Sequence, residues 1–199
     1  MILSSFVWIV LACVLYGAAH SLPASLAVKQ WAAPVLARGY RLFFNVWALV
    51  SLLPVLYAVW RLPDAPLYQL SFPWLLVPLA LQAAGALLAL VGVLQTGPLA
   101  FLGLDALFPD RSAPPHTAVL VTAGVYRWVR HPLYTGTLLV LWLQPAMTGN
   151  SLALAVGLTA YLLVGIHFEE RKLLREFGAA YAAYQRRTPL LLPNRLRDK

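Results

Sequence analysis

Two short polar stretches in the second half of the chain carry the side chains that could bind or transform a polar ligand. The first covers residues 127–136 and contains Arg130, His131 and Tyr134, and the second contains Glu169 and Glu170. A guanidinium can hold an anion and a carboxylate can hold an amine. An ordinary lipid interface, in which Arg meets headgroups and Tyr joins the aromatic belt, would use the same residue types. The residue types alone leave both interpretations open.

The spacing of the two stretches predicts that they meet in space. No side chain is charged between Gly136 and His167, and residues 147–150 supply the only obvious turn. We therefore expect a helical hairpin over residues 133–168, with legs of about 15 to 18 residues. Each leg would be about 22 to 27 Å long, slightly short for a bilayer core of about 30 Å. Because a hairpin returns to the side from which it entered, the two polar stretches should form one site.

The two adjacent glutamates cannot face the same way, because neighbouring positions on a helix diverge by about 100°. One of them could pair with Lys172 or with Arg130 while the other faces a ligand amine. Alternatively, both carboxylates are solvated and balance the basic residues that follow them. This pair therefore has either a binding role or an ordinary surface role.

Three further ionisable residues are candidates for the site. Glu170 and Arg171 follow His167 by three and four residues and so share a helix face with it, which predicts a charged wall beside the first stretch. His20 lies in the first apolar segment, where an ionisable group is costly and is by default a functional candidate. A neutral histidine that bonds another helix fits His20 equally well. The uncharged polar residues of the apolar segments are expected to join helices: Asn45, Gln82, Gln95 and Gln144.

Composition places the whole chain in a membrane. Hydrophobic residues make up 61% of the 199 residues and charged residues 11%, and the mean hydropathy is +0.73. The net charge is +8, but the basic residues fall at the ends of apolar segments, so we expect the lipid bilayer as a partner and no nucleic acid. The single cysteine, Cys13, excludes an intramolecular disulfide and a cysteine-based metal site, and no metal is expected.

The pattern of apolar segments predicts an all-α integral membrane helical bundle of about five transmembrane helices in a single domain. Its expected parts are three N-terminal spans in residues 1–95 (5–28, 42–60 and 72–95), a cytoplasmic connector at 96–132, the hairpin at 133–168, and a cytoplasmic helix and tail at 169–199. Pro23 is expected to kink or end the first span, and residues 29–41 to form a basic connection. In the connector, residues 97–108 are expected at the interface and 109–117 in a loop. The C-terminal helix should be amphipathic as far as residue 187.

The distribution of basic residues predicts the orientation of the chain. One set of alternate connections contains Lys29, Arg41, Arg127 and further basic residues, including eight after Phe168, whereas the other set contains Arg61 alone. Because the positive side of a membrane protein faces the cytoplasm, the N-terminus should be outside. The C-terminus and both polar stretches should then be cytoplasmic.

The two polar stretches and their flanks resemble the C-terminal signature of the integral-membrane methyltransferases, which include isoprenylcysteine carboxyl methyltransferases and phospholipid methyltransferases. The matching segments are Val129-Arg130-His131-Pro132-Leu133-Tyr134-Thr135-Gly136, Phe168-Glu169-Glu170-Arg171, Glu176-Phe177-Gly178, Tyr181, Tyr184 and Leu191-Leu192-Pro193. The N-terminal half, with His20-Ser21-Leu22, Ser25 and Lys29, is similar to the NnrU-type branch and to bacterial methanethiol S-methyltransferases.

The resemblance implies a cytoplasm-facing pocket for S-adenosylmethionine, with S-adenosylhomocysteine as the product, in a bacterial-type inner membrane. The residues carried over as cofactor-binding candidates are Arg130, His131, Pro132, Tyr134, Gly136, His167, Glu169 and Glu170. Glu170, Arg171 and His20 are the candidates for a catalytic role. Such a pocket needs a carboxylate near the ammonium of the cofactor, a cation or donor near its carboxylate, and an aromatic surface for adenine.

The expected function is therefore the S-adenosylmethionine-dependent methylation of a small or lipophilic thiol that resembles methanethiol. Isoprenylcysteine-type carboxyl methylation and phospholipid amine methylation are alternative reactions of the same family. A non-catalytic membrane protein of the NnrU type is the alternative from a different functional class. The sequence does not identify the acceptor, because its pocket would be built from ordinary apolar residues of the first three spans.

Overall fold

The computed structural model describes residues 2–36, 39–107 and 119–193 and is almost entirely helical. In chain order the elements are α1 (Ile2–Ala24), α2 (Leu26–Leu36), α3 (Tyr40–Arg61), β1 (Pro66–Gln69), α4 (Leu76–Gln95), α5 (Pro98–Leu102), 3₁₀ turns at Leu104–Leu107 and Gly124–Arg127, α6 (Pro132–Trp142), β2 (Ala146–Thr148) and α7 (Gly149–Arg187). Within these ranges four helices, α1, α3, α4 and α7, are long and apolar enough to cross a membrane. The predicted all-α membrane bundle is confirmed.

The first leg of the predicted hairpin is shorter than expected. α6 has 11 residues, ends at Trp142 and is followed by Pro145. Because a proline lacks an N–H and restricts the residue before it, the helix cannot continue through Gln144. The chain instead forms β2, which pairs with β1 in a two-stranded sheet. The sheet was not predicted, and α6 falls short of the length needed to span a bilayer.

The boundaries of the other spans agree with the prediction to different degrees. α3 and α4 lie where spans were expected, but the first span ends at Ala24, directly after Pro23. The expected basic connection at 29–41 is largely helical, because α2 occupies most of it. The segment at 97–108 contains α5 and a 3₁₀ turn. The predicted loop at 109–117 lies outside the described residues.

α7 is 39 residues long, about twice the length that a bilayer core requires. Its uncharged part ends at Phe168, after which the sequence becomes Glu-Glu-Arg-Lys. The part of α7 that is apolar enough to cross a membrane therefore ends near residue 168. The helical geometry is interrupted once, at Gly178.

The contacts of the chain divide it into two compact units. Unit 1 comprises Met1–Tyr68, Gly97–Pro115 and Met147–Tyr161. Its buried core is formed by Ile9, Cys13, Val55 and Ala153. Cys13 is thus a small buried hydrophobic residue, as its place in the first apolar segment indicates. The division into parts at residues 95, 132 and 168 stays a prediction.

Unit 2 comprises Gln69–Thr96, His116–Ala146 and Leu162–Lys199. In it α4 and α6 pack closely through small residues. A Cβ atom on Gly136 would lie 2.2 Å from the carbonyl oxygen of Gly85 and 2.9 Å from the side chain of Ala89. Gln82 Nε2 donates to the carbonyl of Val140 at 2.9 Å between the same helices. Small residues let the backbones approach and a polar side chain joins them, as is usual for helices in lipid.

Candidate active site

Glu170 is the centre of a hydrogen-bond network in unit 2. Arg130 donates to both of its carboxylate oxygens, from Nε at 3.0 Å and from Nη2 at 2.8 Å. His131 Nε2 lies 2.7 Å from Oε1, the Tyr181 hydroxyl donates to Oε1 at 2.5 Å, and Gln185 Nε2 donates to Oε2 at 2.7 Å. The network joins the start of α6 to α7. The prediction that the two polar stretches meet is therefore confirmed.

The network also fixes the charge on the carboxyl group. Burial alone would raise the pKa of Glu170, but hydrogen bonds from Arg130, Tyr181, Gln185 and His131 outweigh it and lower the pKa to about 2. The group is thus a carboxylate at neutral pH and can only accept hydrogen bonds. His131 must therefore carry a proton on Nε2, because its partner there, the Glu170 carboxylate, can only accept a hydrogen bond.

A backbone break at Gly178 makes this network possible. Along a straight helix, Tyr181 would lie about 16 Å from Glu170, because eleven residues separate them. Gly178 has φ 52° and ψ −125°, a conformation that only glycine adopts readily. The chain changes direction there, and Tyr181 and Gln185 reach back to the carboxylate. The helix ends at Arg187, as the sequence pattern predicts, but the break at Gly178 was not predicted, and it positions part of the site.

Residues 188–191, which follow α7, bind the beginning of α6 through backbone groups. The N–H groups of Arg130 and His131 donate to the carbonyls of Pro189 at 2.9 Å and Leu190 at 3.3 Å. Arg130 Nη1 donates to the carbonyl of Thr188 at 2.6 Å. These bonds satisfy donors at a helix start that would otherwise lack partners. They hold Arg130 and His131 from a second side.

Glu169 has surroundings very different from those of Glu170. Its side chain is 41% exposed, and its Oε2 lies 3.6 Å from Nδ1 of His131, a separation longer than a hydrogen bond. Within the described part of the chain this buried oxygen has no hydrogen-bond partner. The His131 ring stacks on Tyr134, with centroids 5.4 Å apart and an interplanar angle of 24°. A carboxylate with an unpaired oxygen thus lies beside a two-ring stack.

Two other predicted site residues pack against α4. Pro132 is fully buried, and its ring would lie 2.9 Å from a Cβ atom on Gly92. Gly136 is the second of these cofactor-binding candidates, and α4 fills the space beside its backbone. The glycine is needed for close helix packing, which sequence alone could not distinguish from close approach of a ligand. Any cofactor contact of these two residues stays a prediction.

Three predicted residues lie outside the network. His167 and Arg171 are exposed on α7, whereas Glu170 bonds Arg130 and His131. His20 belongs to unit 1, where its ring lies 4.7 Å from that of Phe44 and 5.6 Å from that of Tyr161. Its Nδ1 is buried and has no hydrogen-bond partner among the described residues. Functional roles for these three residues stay predictions.

The other polar residues of the apolar segments act largely as expected. Asn45 Nδ2 donates to the carbonyl of Phe101 at 3.0 Å, and Gln95 Oε1 accepts from the N–H of Val125 at 3.2 Å. Both bonds join separate elements, as does that of Gln82. Gln144, which follows α6, donates to the carbonyl of Leu141 near the end of that helix at 3.3 Å.

Sequence reasoning assigned no role to several residues of the network. Tyr181 belongs to the C-terminal signature and to the apolar side of the predicted amphipathic helix, but no role in a site was predicted for it. Gln185 was not predicted at all. The available signal was spacing: Gln185 follows Tyr181 by four residues, which puts a polar group on the face expected to be buried. The backbone acceptors at residues 188–190 left no signal in side-chain type.

Comparisons with known proteins show the family to which the chain belongs. The profile of the NnrU protein family matches residues 8–193. Methanethiol S-methyltransferase 2 of Bradyrhizobium diazoefficiens is 36% identical over 182 residues, which cover 90% of this chain and 70% of that protein. The methanethiol S-methyltransferase of Mycobacterium tuberculosis is 33% identical over 180 residues, covering 87% and 72%. The protein-S-isoprenylcysteine O-methyltransferase of Rattus norvegicus is 31% identical over 117 residues, covering 57% and 41%.

No solved structure matches the chain at a significant level. The family profile, however, runs through both units and includes the whole Glu170 network. The relatives named as methanethiol S-methyltransferases likewise align over most of the chain. The chain therefore belongs to the NnrU protein family and is related to the methanethiol S-methyltransferases.

Proposed function

We propose that this integral membrane protein is a methyltransferase that transfers a methyl group from S-adenosylmethionine to a small thiol such as methanethiol. The long alignments with relatives named for that reaction support the thiol acceptor. The rat carboxyl methyltransferase supports the alternative acceptor less well, because it aligns with 57% of the chain. The acceptor assignment thus follows the relatives with the greatest coverage.

The observation that carries the cofactor assignment is the contrast between the two glutamates. Glu170 is fully engaged by protein donors, whereas one carboxylate oxygen of Glu169 has no hydrogen-bond partner in the part of the chain that the structure describes. S-adenosylmethionine has an ammonium group that requires an anionic partner and an adenine that favours an aromatic surface. Glu169 and the ring of Tyr134, which stacks on His131, offer both in one place. The residues present therefore fit the cofactor.

Arg130 has a different part in this proposal from the one that its residue type suggests. Its guanidinium makes four hydrogen bonds within the protein, two to Glu170 and two to the carbonyls of Gln185 and Thr188. Few donors remain for the carboxylate of a ligand. We assign Arg130 to holding Glu170 and residues 188–191, which in turn hold the edge of the pocket.

When bound, the cofactor supplies an electrophilic methyl group on a sulfonium. The protein would contribute by fixing the acceptor sulfur close to that methyl group and by excluding water, which are effects of orientation and desolvation. The rigid network suits this task, because a displacement of about 1 Å can cost about 100-fold in rate.

Methyl transfer is the first test. The detergent-purified protein, supplied with S-adenosylmethionine and methanethiol, should release dimethyl sulfide that gas chromatography detects in the headspace. Glu169→Gln should reduce the rate, whereas Glu176→Gln, which changes an exposed glutamate on the same helix, should not. A folded parent that methylates only a prenylcysteine or a phospholipid amine would overturn the thiol assignment. No transfer to any acceptor would favour the non-catalytic alternative.

The proposal includes the bilayer as a partner, an external N-terminus and a site on the cytoplasmic side. In a Cys13→Ala background, Gln69→Cys in β1 and Glu176→Cys in α7 place single thiols in the two opposite sets of connections. An impermeant maleimide should label Gln69→Cys in intact cells and Glu176→Cys only after permeabilisation. The reverse pattern would contradict the orientation.

A further inference from the structure

We propose that His131 is the proton acceptor for the thiol substrate and that it acts through Nδ1. This inference rests on the proposed function, because it names a catalytic residue within the same site. A thiol is mostly protonated at neutral pH, whereas the thiolate is the nucleophile. Methylation of a simple thiol therefore needs a base close to the acceptor.

The geometry of His131 is that of an oriented base. Glu170 accepts the Nε2–H at 2.7 Å, so it fixes both the ring orientation and the tautomer. The lone pair of the neutral ring is then on Nδ1, the nitrogen beside Glu169. A carboxylate that holds one imidazole nitrogen so that the other can take a proton is the arrangement of a catalytic dyad. Glu170 acts here as a positioning residue.

Charged groups surround the His131 ring. Glu169 Oε2 lies 3.6 Å from Nδ1 and has no hydrogen-bond partner among the described residues. The charged and titratable groups that face the ring or its partners are Glu169 and Glu170 from α7, Tyr181 after the break, Arg130 from the preceding position and Tyr134 from α6.

Access to Nδ1 is controlled by Glu169. The His131 side chain is 4% exposed, whereas that of Glu169 is 41% exposed. A partly exposed glutamate can move at low cost. If Glu169 turned towards the ammonium of a bound cofactor, it would uncover the Nδ1 edge to a small thiol. Distances between catalytic groups commonly shorten only when the ligands are bound.

The reaction balances without a further reagent. The S–H bond of the thiol breaks and its proton moves to Nδ1, leaving the electron pair on sulfur. That pair forms the bond to the methyl carbon, while the carbon–sulfur bond of the sulfonium breaks and its electrons stay on the departing sulfur. The products are a methyl thioether, S-adenosylhomocysteine and a proton, which leaves His131 for water.

Thiol acidity provides the test. An alkyl thiol needs the base, whereas an arene thiol is largely ionised at slightly alkaline pH. His131→Gln should therefore lower kcat/KM about 100-fold or more for the alkyl thiol and less than about tenfold for the arene thiol. The control Glu176→Gln should leave both rates unchanged. An equal loss for the two thiols would show a purely structural role and overturn the proposal, as would no loss for either.

A second measurement, made on the parent protein, tests the proposal if the His131→Gln variant does not fold. With the parent protein, the solvent deuterium isotope effect on kcat/KM should differ between the alkyl thiol, which transfers its proton, and the ionised arene thiol, which has none to transfer. Equal isotope effects for the two thiols would overturn the proposal. Failure of the proposed function is a distinct result, because the parent would then methylate neither thiol.

Discussion

Replacing Glu170 by glutamine should loosen the entire C-terminal part of the site. The substitution keeps the shape of the side chain but removes its charge, and its amide nitrogen would oppose donors from Arg130, Tyr181 or Gln185. At least one of these donors must lose its acceptor. Because the donors come from both sides of the break at Gly178, the region after the break should detach first.

The size of the effect follows from the burial of the ion pair. The side chains of Arg130 and Glu170 are 10% and 15% exposed. Removing one partner of a buried pair costs about 3 to 5 kcal/mol, and the partial exposure of this pair favours the lower figure. At about 1.4 kcal/mol for each factor of ten, the locally open state should become roughly 100-fold more populated.

Hydrogen exchange measured by mass spectrometry reads out this population directly. Peptides that cover residues 179–193, together with the amides of Arg130 and His131, should exchange roughly 100-fold faster in Glu170→Gln than in the parent. Peptides from α1 and α3 should be unaffected, and Glu176→Gln should behave as the parent throughout. Unchanged exchange in residues 179–193 would refute the central place of Glu170.

Further predictions concern glycine geometry and pH. Gly178→Ala should destabilise the region after the break by about 1 to 2 kcal/mol in the same exchange experiment, because φ at this position is 52°. The cost comes from the backbone alone, since the added methyl group meets no atom within 4 Å. The control Gly165→Ala has equal space and helical geometry, so it should be neutral or stabilising. Gly136→Ala would set a methyl group 2.2 Å from the Gly85 carbonyl oxygen, so the free energy of unfolding should fall by about 1 to 3 kcal/mol or more in thermal unfolding in detergent. An unchanged midpoint would contradict the packing of α4 on α6. The pKa of Glu170 is lowered from 4.5 to about 2, so the contribution of this carboxylate to stability is complete above pH 4.5 and is lost as the pH falls through about 2. The protection of residues 179–193 against hydrogen exchange, corrected for intrinsic rates, should therefore be constant near neutral pH and fall only below pH 4.5.

The sequence predicts those features of the fold that depend on composition and on the position of charges. α3 and α4 lie close to the expected spans, because lipid requires long uncharged helices and the charges mark their ends. The meeting of Arg130 with Glu170 follows from the same logic, since a chain that crosses and returns brings its charged ends together. Physical constraints of the bilayer therefore account for the successful part of the prediction.

The remaining features depend on contacts that side-chain type does not encode. Pro145 ends α6 early, and β2 pairs with β1, far away in sequence. Gly178 reads as a tolerated glycine in an amphipathic helix, yet its positive φ redirects the chain. The carbonyl acceptors in residues 188–190 are backbone groups that every sequence possesses. Which glutamate binds Arg130 depends on rotation about α7, which spacing alone leaves undecided.

Calorimetric titration with S-adenosylhomocysteine tests the central claim, that Glu169 marks a cofactor site, most directly. The detergent-purified parent should bind one equivalent, and Glu169→Gln should weaken binding about tenfold to 100-fold, the range expected for a lost charge-assisted hydrogen bond of about 1.5 to 3 kcal/mol. Glu176→Gln should bind as the parent does. A folded parent that does not bind, or Glu169→Gln binding with unchanged affinity, would contradict the account.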